Sequence, residues 1–490
     1  MRAPYKGQLH ISILITTLYL YFLIFCVEWR TIIEIDPDEG YNVIKTLLIH
    51  NGYQLYNEIY SDQPPFFTYF LLSWFNLFGW SVNHGRMLII FFSSLMIFGL
   101  FDTIRRYYGV SSALAGILFL IFSKRFISIS IAIMLGLPSL SMLVISAWSL
   151  LIWIKNKKDY YLVISGIFFG LSISIKLFTL FLIPLFIFYI IKDDYSNFKY
   201  TLKLSGIWIL SLFSITTILL APVWLSDNPL QLFTSHINII FDPENPLGIS
   251  LMKIIKKDKA IFILSSLGLI YAFKERNQGA IFFAIWLLMA LIILFYHYPV
   301  WYHHAFLILI PASLLAGSFC NLIEKSLLKK GISSKAAFIS VILIICLVFS
   351  LYPLTKPKRT YKIFHPWHMS NDQKDMAVIN FIKNFREAGD MIITSRPMYA
   401  FQTGKLVPPQ LAVTSNKRYY AGLWNEDTVI DQLEKYSINI IILTNKWPKE
   451  VLYAVEKSMS DRYIKILEDR ENYDLKLFIK KDLIKLGTNK

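Results

Sequence analysis

The sequence predicts a polytopic α-helical membrane protein with a small α/β domain at its C-terminal end, and three observations predict it. Of 490 residues, 55% are hydrophobic, at a mean hydropathy of +0.49, above the roughly 45–50% usual in soluble chains. Apolar runs of bilayer length recur as far as about residue 354, punctuated by short basic clusters. Beyond that point polar and apolar residues mix in the manner of a water-soluble fold. The net charge of +16 is dispersed among the clusters, so it reads as loop anchoring at a membrane and gives no support to a nucleic-acid partner. Cys26, Cys320 and Cys346 lie far apart in or beside apolar segments, which suggests neither a disulfide framework nor a thiolate metal site.

Runs long enough to span occur near 10–28, 87–104, 110–124, 138–154, 160–175, 177–191, 203–222, 260–273, 279–296, 303–322 and 336–354, about eleven in all. The first follows Arg2 and Lys6 as a signal sequence would. It ends Phe25-Cys26-Val27-Glu28-Trp29 without a small-residue cleavage site, so it is expected to remain as a span. With a cytoplasmic N-terminus, the inner loops collect Arg105, Arg106 and the basic clusters at 155–158, 192–203, 274–276 and 325–335, the positive-inside pattern. Segment 66–80, which contains Trp74, Asn76 and Trp80, is expected to lie along the interface, because a span there would invert every later loop. Residues 29–86 then form one long extracytoplasmic segment. Lys124, Arg125 and the cluster at 253–259 fall on the outer side, where either the boundaries shift or lipid phosphates meet the cations.

The membrane domain is therefore expected over 1–356 and an extracytoplasmic α/β domain over 357–490. In the latter, spacing predicts helices over 372–385, 428–436 and 449–459, and strands over 390–394, 438–444, 462–467 and 474–480.

The first outer segment is locally acidic in a basic protein: Glu34, Asp36, Asp38, Glu39, Glu58 and Asp62 stand against Arg30 and Lys45. Asp36-Pro37-Asp38-Glu39-Gly40-Tyr41 opens an element with Val43, Ile44, Leu47 and Leu48 at helical spacing, which puts the carboxylates at a helix N-terminus. Taken alone, such a run is an acidic cap. Further on, Gly52-Tyr53 and Tyr56 precede Ser61-Asp62-Gln63-Pro64-Pro65, a turn into the interfacial helix. Elsewhere, Lys176 stands alone between two spans, where an ionisable residue is either functional or an interface anchor. His303 and His304 open another span and, being adjacent, point to different faces. The imidazoles of His236, His297, His303 and His304 and the loop carboxylates have no ligand spacing on a single helix, so no metal residue is assigned and a divalent metal is only admitted. A nucleotide has no Gly-rich phosphate loop to bind.

The 36–65 segment resembles the first outer loop of the GT-C superfamily of membrane glycosyltransferases, closest to the protein O-mannosyltransferase and aminoarabinose transferase branch. The layout is similar over most of the chain, including 137–150, Lys176, 303–317 with Pro311, and Gly389-Asp390 and Pro408-Pro409 of the outer domain. Two departures stand out: Gln63 precedes the Pro-Pro where relatives often have Lys or His, and 134–138 carries no acidic residue.

The resemblance implies a GT-C-like fold in the plasma (inner) membrane and a polyprenyl-phosphate-linked sugar donor. The acceptor would be a protein, lipid or glycan, and the reaction a single inverting displacement with Asp38 as base, Asp36 being the second candidate. Glu39 would orient its neighbour or hold acceptor, with Tyr41, Asp62 and Gln63 on the acceptor side of the loop. Donor phosphate would be held by Lys176, His303 and His304, since the leaving group needs charge neutralisation more than a proton. A lipid-linked glycan flippase or a glycan polymerase or ligase are the competing readings. Transporters commonly show repeated halves and broken midplane helices, and neither is visible in the sequence.

Overall fold

In the computed structural model, residues 9–123, 126–193, 198–237, 249–333, 336, 372–470 and 474–483 are described. Six of the described helices are long and apolar enough to cross a membrane: Leu9–Cys26, Val82–Tyr108, Gly136–Asn156, Phe198–Leu219, Gln278–Tyr296 and Tyr302–Lys329. The segments expected at 110–124, 160–175 and 260–273 form the shorter helices Val110–Ile121, Asp159–Ile175 and Lys259–Lys274, and 177–191 is a 3-10 turn, Leu177–Leu182, running into Ile183–Asp193. The span expected at 336–354 and Lys124-Arg125 lie outside the described residues. Val110–Ile121, at 12 residues, is about 18 Å long, less than the roughly 30 Å of a bilayer core. It can be short because protein surrounds most of it.

Val82–Tyr108, Gly136–Asn156 and Tyr302–Lys329 are the buried centre, while Leu9–Cys26 and Phe198–Leu219 are mostly exposed, as lipid-facing helices would be. Lipid offers no hydrophobic drive between helices, so close backbone approach and buried hydroxyls hold the centre together. A Cβ at Gly317 would lie 2.7 Å from the Ser112 carbonyl oxygen, and one at Gly268 only 1.9 Å from that of Leu315. Ser139 and Ser172 donate to each other's carbonyls at 2.9 and 2.8 Å, tying Gly136–Asn156 to Asp159–Ile175. Near one end of Val82–Tyr108, buried Asp102 accepts from Ser12 Oγ and Trp148 Nε1 and pairs with Arg105 and Arg106. Lys155 donates to the Arg106 carbonyl, Asn321 to that of Tyr108, and Lys325 pairs with Glu275 nearby. The basic clusters at 105–106, 155 and 325 thus share one end of the bundle.

The opposite end is capped by the first long loop. Phe66–Phe78 is a 13-residue helix, about 20 Å long. It leaves the loop at Pro65 and returns to it: Trp74 Nε1 donates to the His84 carbonyl, Asn83 Nδ2 to that of Arg30, and Arg86 to those of Trp29 and Ile32. Both ends of this helix therefore lie against the first loop.

The C-terminal part forms a four-stranded sheet in the order β1-β2-β4-β3, with β1 Ile393–Thr394, β2 Ile440–Leu443, β3 Tyr463–Asp469 and β4 Leu475–Lys480. β1 pairs parallel with β2, and the other pairings are antiparallel. The strand expected over 390–394 is two residues long, because Met391 bridges to Leu406 instead of extending the ladder. Helices Asp372–Asn384, Glu426–Lys435 and Lys449–Met459 match the expected positions, and Pro397–Thr403 is an additional helix. Trp424, Val429, Leu433, Ile441, Trp447 and Val455 make a core of its own for this unit, while Met398, Tyr399 and Val407 join the core of the membrane part.

Candidate functional site

The site is built on helix Pro37–His50. Asp36 is its N-cap, in extended backbone, accepting from the Asp38 amide at 3.1 Å, and Pro37 fits the first helical position where no N–H is needed. Glu39 is fully buried. Its carboxylate takes Arg86 Nη2 at 2.9 Å and Nε at 3.1 Å, together with the Ile35 and Ile133 amides at 2.6 and 3.0 Å. With both oxygens engaged, Glu39 fixes the helix to Val82–Tyr108 and to the chain at 133, and does not open toward an acceptor. Asp38, between these two anchors, is half-buried.

Asp38, Tyr41 and Lys45 share a helical face by their spacing of three and seven. Burial pushes the Asp38 carboxyl above the ordinary carboxylate range; the Lys176 and Lys45 ammoniums pull it down, and Asp62 and Glu34 push it further up. Burial likewise pushes the Lys45 ammonium down, against Asp62 and Asp38. Tyr41 is pushed above its usual range by burial and then by Asp38, and its hydroxyl reaches Thr414. These mutual influences gather Asp38, Asp62, Lys45 and Lys176 into one cluster.

Lys176 stands where helix Asp159–Ile175 stops, in extended backbone, before the 3-10 turn at 177. Its Nζ lies 3.3 Å from His303 Nε2 and over the Phe178 ring at 4.9 Å. If Lys176 donates there, His303 Nε2 is an acceptor and the ring carries its proton on Nδ1. His304 is spent locally, its Nδ1 accepting from the Trp301 amide at 3.3 Å. Of the two imidazoles, His303 therefore joins the cluster. Lys257 contacts Tyr302 beside them, which places the 253–259 basic segment at this same end.

Asp62 takes Lys417 Nζ at 2.9 Å from the C-terminal unit. The Gln63 carbonyl accepts from Tyr56 Oη at 2.7 Å and Ser61 Oγ at 3.1 Å, which fixes the turn into Pro64-Pro65. Two further joints hold the units together. Arg396 donates to Glu34 at 2.9 Å while its Nη1 takes Asp375 at 3.1 Å, and Gly40 lies so close to Met398 that a Cβ would meet its amide nitrogen at 3.1 Å. Among the described residues, no group of three His, Cys, Asp or Glu is arranged to hold a metal ion.

Sequence reasoning noted Lys45 only as a counter-charge in the acidic loop, and passed over Arg86, Arg396 and Lys417. The i, i+7 spacing of Asp38 and Lys45 was a usable signal for the first. For Arg86, Arg396 and Lys417, partners lie 47, 362 and 355 residues away, with nothing local to mark them.

Residues 62–225 match the dolichyl-phosphate-mannose-protein mannosyltransferase family. No curated protein matches the chain. In fold, the chain is similar to ArnT from Cupriavidus metallidurans bound to undecaprenyl phosphate, at TM-score 0.64 and 13% identity over 97% of this chain and 98% of that one. The apo form of the same protein gives 0.66 and 12% over 96% and 98%. The oligosaccharyltransferase of Archaeoglobus fulgidus in its apo form gives 0.60 and 13% over 95% of this chain and 74% of that one. At such identities the likeness is one of fold. The chain thus has the fold of these structures along nearly its whole length, and its residues 62–225 match the mannosyltransferase family.

Proposed function

We propose that this chain is a membrane glycosyltransferase that moves a sugar from a polyprenyl-phosphate donor to an acceptor on the membrane face that carries the C-terminal unit. The observation that carries the reading is the site itself: a half-buried carboxylate, Asp38, at the start of helix Pro37–His50, whose ionised form the ammoniums of Lys176 and Lys45 favour against burial, with Lys176 Nζ 3.3 Å from His303 Nε2. Two proteins of the same fold support the donor class, since ArnT was crystallised with undecaprenyl phosphate and the Archaeoglobus fulgidus enzyme AglB was solved with an inhibitory peptide and a dolichol-phosphate.

The reaction is a single displacement. An acceptor hydroxyl or amine attacks the anomeric carbon, the carbon–oxygen bond to phosphate breaks, and configuration inverts. Asp38 takes the acceptor's proton, a role worth about 10²–10⁴-fold. The departing polyprenyl phosphate carries the negative charge, which Lys176 and Lys45 neutralise in a site of low polarity, with His303 orienting Lys176. The basic end of the bundle faces the cytoplasm by the positive-inside rule, so the site and the C-terminal unit face outward, at the plasma (inner) membrane.

Incubating the purified protein with a panel of polyprenyl-phosphate sugars and measuring donor consumption with an acceptor mixture tests this directly. Consumption of at least one donor is expected. No consumption of any donor would return the chain to the flippase reading.

A further inference from the structure

Helix Gly136–Asn156 begins inside the protein with its first amides unanswered. Leu135, Gly136 and Leu137 find no acceptor for their N–H groups among the described residues, Pro138 has no N–H, and no side chain caps the helix, whose first bond runs from the Ser139 amide to the Leu135 carbonyl at 3.1 Å. Buried N–H groups are rarely left so; water or a ligand answers them. There is room for one. Gly136 is buried, yet a Cβ built on it would meet no atom within 4 Å outside its own stretch of chain, whereas every other described glycine with that freedom is exposed or half-buried.

Two lysines stand at this helix start. Ser146 Oγ donates to the Ser165 carbonyl at 2.7 Å and Ser139 Oγ to that of Ser172 at 2.9 Å, so Gly136–Asn156 and Asp159–Ile175 run antiparallel in one register, which brings Lys176 level with Leu135 and Gly136. From the other side, the loop helix holds both backbone groups of Ile133: its amide donates to Glu39 at 3.0 Å and its carbonyl accepts from Asn42 Nδ2 at 2.9 Å. Lys45 follows Asn42 by one turn on that face, about 4.5 Å along the axis. It is 3% exposed, and its ammonium has no hydrogen-bond or ion-pair partner among the described residues. Asp62 and Asp38 act on it from beyond ion-pair distance. An ammonium buried that deeply without a direct partner is costly, and an anion beside it removes the cost.

Free amides at a helix start bind oxyanions, because the N–H groups and the helix dipole both favour negative charge there. We propose that the amides of Leu135, Gly136 and Leu137, together with Lys45 and Lys176, hold the phosphate of the lipid-linked donor, and that Gly136 keeps the space open by having no side chain. The proposal rests on the transferase reading above and adds backbone donors to the two lysines assigned there. Such donors are fixed in place before the phosphate leaves and need no rearrangement as charge develops on it.

The competing role for this space is a water site that satisfies the amides and does nothing more. Binding of undecaprenyl phosphate and of uncharged undecaprenol to the purified full-length protein separates the two, with the midpoint of thermal unfolding in detergent read alongside. Gly136→Ala puts a methyl group where the fold leaves room, so the midpoint should stay close to that of wild type. Undecaprenyl phosphate binding is expected to weaken about tenfold or more, as for loss of charge-assisted contacts, while undecaprenol binding stays unchanged. Gly206→Ala, which fills equally open space on Phe198–Leu219, is expected to bind both ligands as wild type does. Undiminished phosphate binding in Gly136→Ala, or equal weakening for the phosphate and the alcohol, would overturn the proposal while the transferase reading stands. If Gly136→Ala does not fold, hydrogen exchange of the wild type decides: the amides of segment 133–140 are expected to exchange more slowly with undecaprenyl phosphate than with undecaprenol, and equal rates would overturn the proposal. Wild type that binds no undecaprenyl phosphate would sink both.

Discussion

Asp36, Asp38 and Glu39 stand within four residues and carry the same functional group, yet each has a different task. Asp36 spends its side chain on the helix start, Glu39 spends both oxygens on Arg86 and two amides, and Asp38 faces the lysines. Replacing Asp38 by Asn keeps the size and removes the proton acceptor. Asp38→Asn is expected to lower turnover by about 10²-fold or more with donor binding little changed, read as kcat and donor Kd side by side. Asp36→Asn should keep the cap, since Asn caps as well as Asp, and lose far less. A near-normal rate in Asp38→Asn with Asp36→Asn inactive would move the base two residues back. The direction of the Asp38 shift also fixes a pH dependence. A base works only when ionised, and burial raises this carboxyl above the ordinary range, so activity should fall with decreasing pH through an inflection above that of a free aspartate. An inflection at or below the free value would contradict the buried setting.

Helix Pro37–His50 is the element that makes the site. Its apolar residues Val43, Ile44 and Leu48 are buried, its polar residues Glu39 and Asn42 bond to the membrane part, and at Gly40 it packs against Met398 of the C-terminal unit. It is fastened by the Glu39–Arg86 pair, in which neither side chain is exposed. Removing one partner of such a pair leaves an uncompensated buried charge. Arg86→Ala is therefore expected to destabilise the protein by about 3–5 kcal/mol, seen as a lower midpoint of thermal unfolding in detergent. Lys325→Ala, which breaks an exposed pair with Glu275, should shift the midpoint by no more than about 1 kcal/mol. Comparable losses in the two would show that the loop helix is held chiefly by its apolar face.

For the whole molecule, the ion pairs Lys417–Asp62 and Arg396–Glu34 require the first loop and the C-terminal unit to lie on one side of the membrane, whatever the absolute orientation. The Lys155–Arg106 contact marks the other side. Single cysteines replacing the exposed residues Gln54 and Glu434, in a cysteine-free background, should both react with an impermeant thiol reagent on intact cells. One replacing exposed Lys158 should react only after permeabilisation. Opposite labelling of Gln54→Cys and Glu434→Cys would break the topology, and labelling of Lys158→Cys alone would invert it.

The sequence by itself determined where this protein is apolar helix and where it is mixed helix and strand. Apolar runs of spanning length recur as the long helices of the described residues, and the alternation beyond 372 located helix and strand to within a few residues, because burial periodicity is a local property. The acidic motif at 36–39 and its capping geometry were legible for the same reason. Which helices cross unaided was decided by packing, since Val110–Ile121 can be short only where neighbours enclose it. The tertiary structure alone also decided which carboxylate meets which cation. Asp62 finds Lys417 and Glu34 finds Arg396 across more than three hundred and fifty residues, and electrostatic partnership at that range depends on distance in space, which no spacing along a chain records.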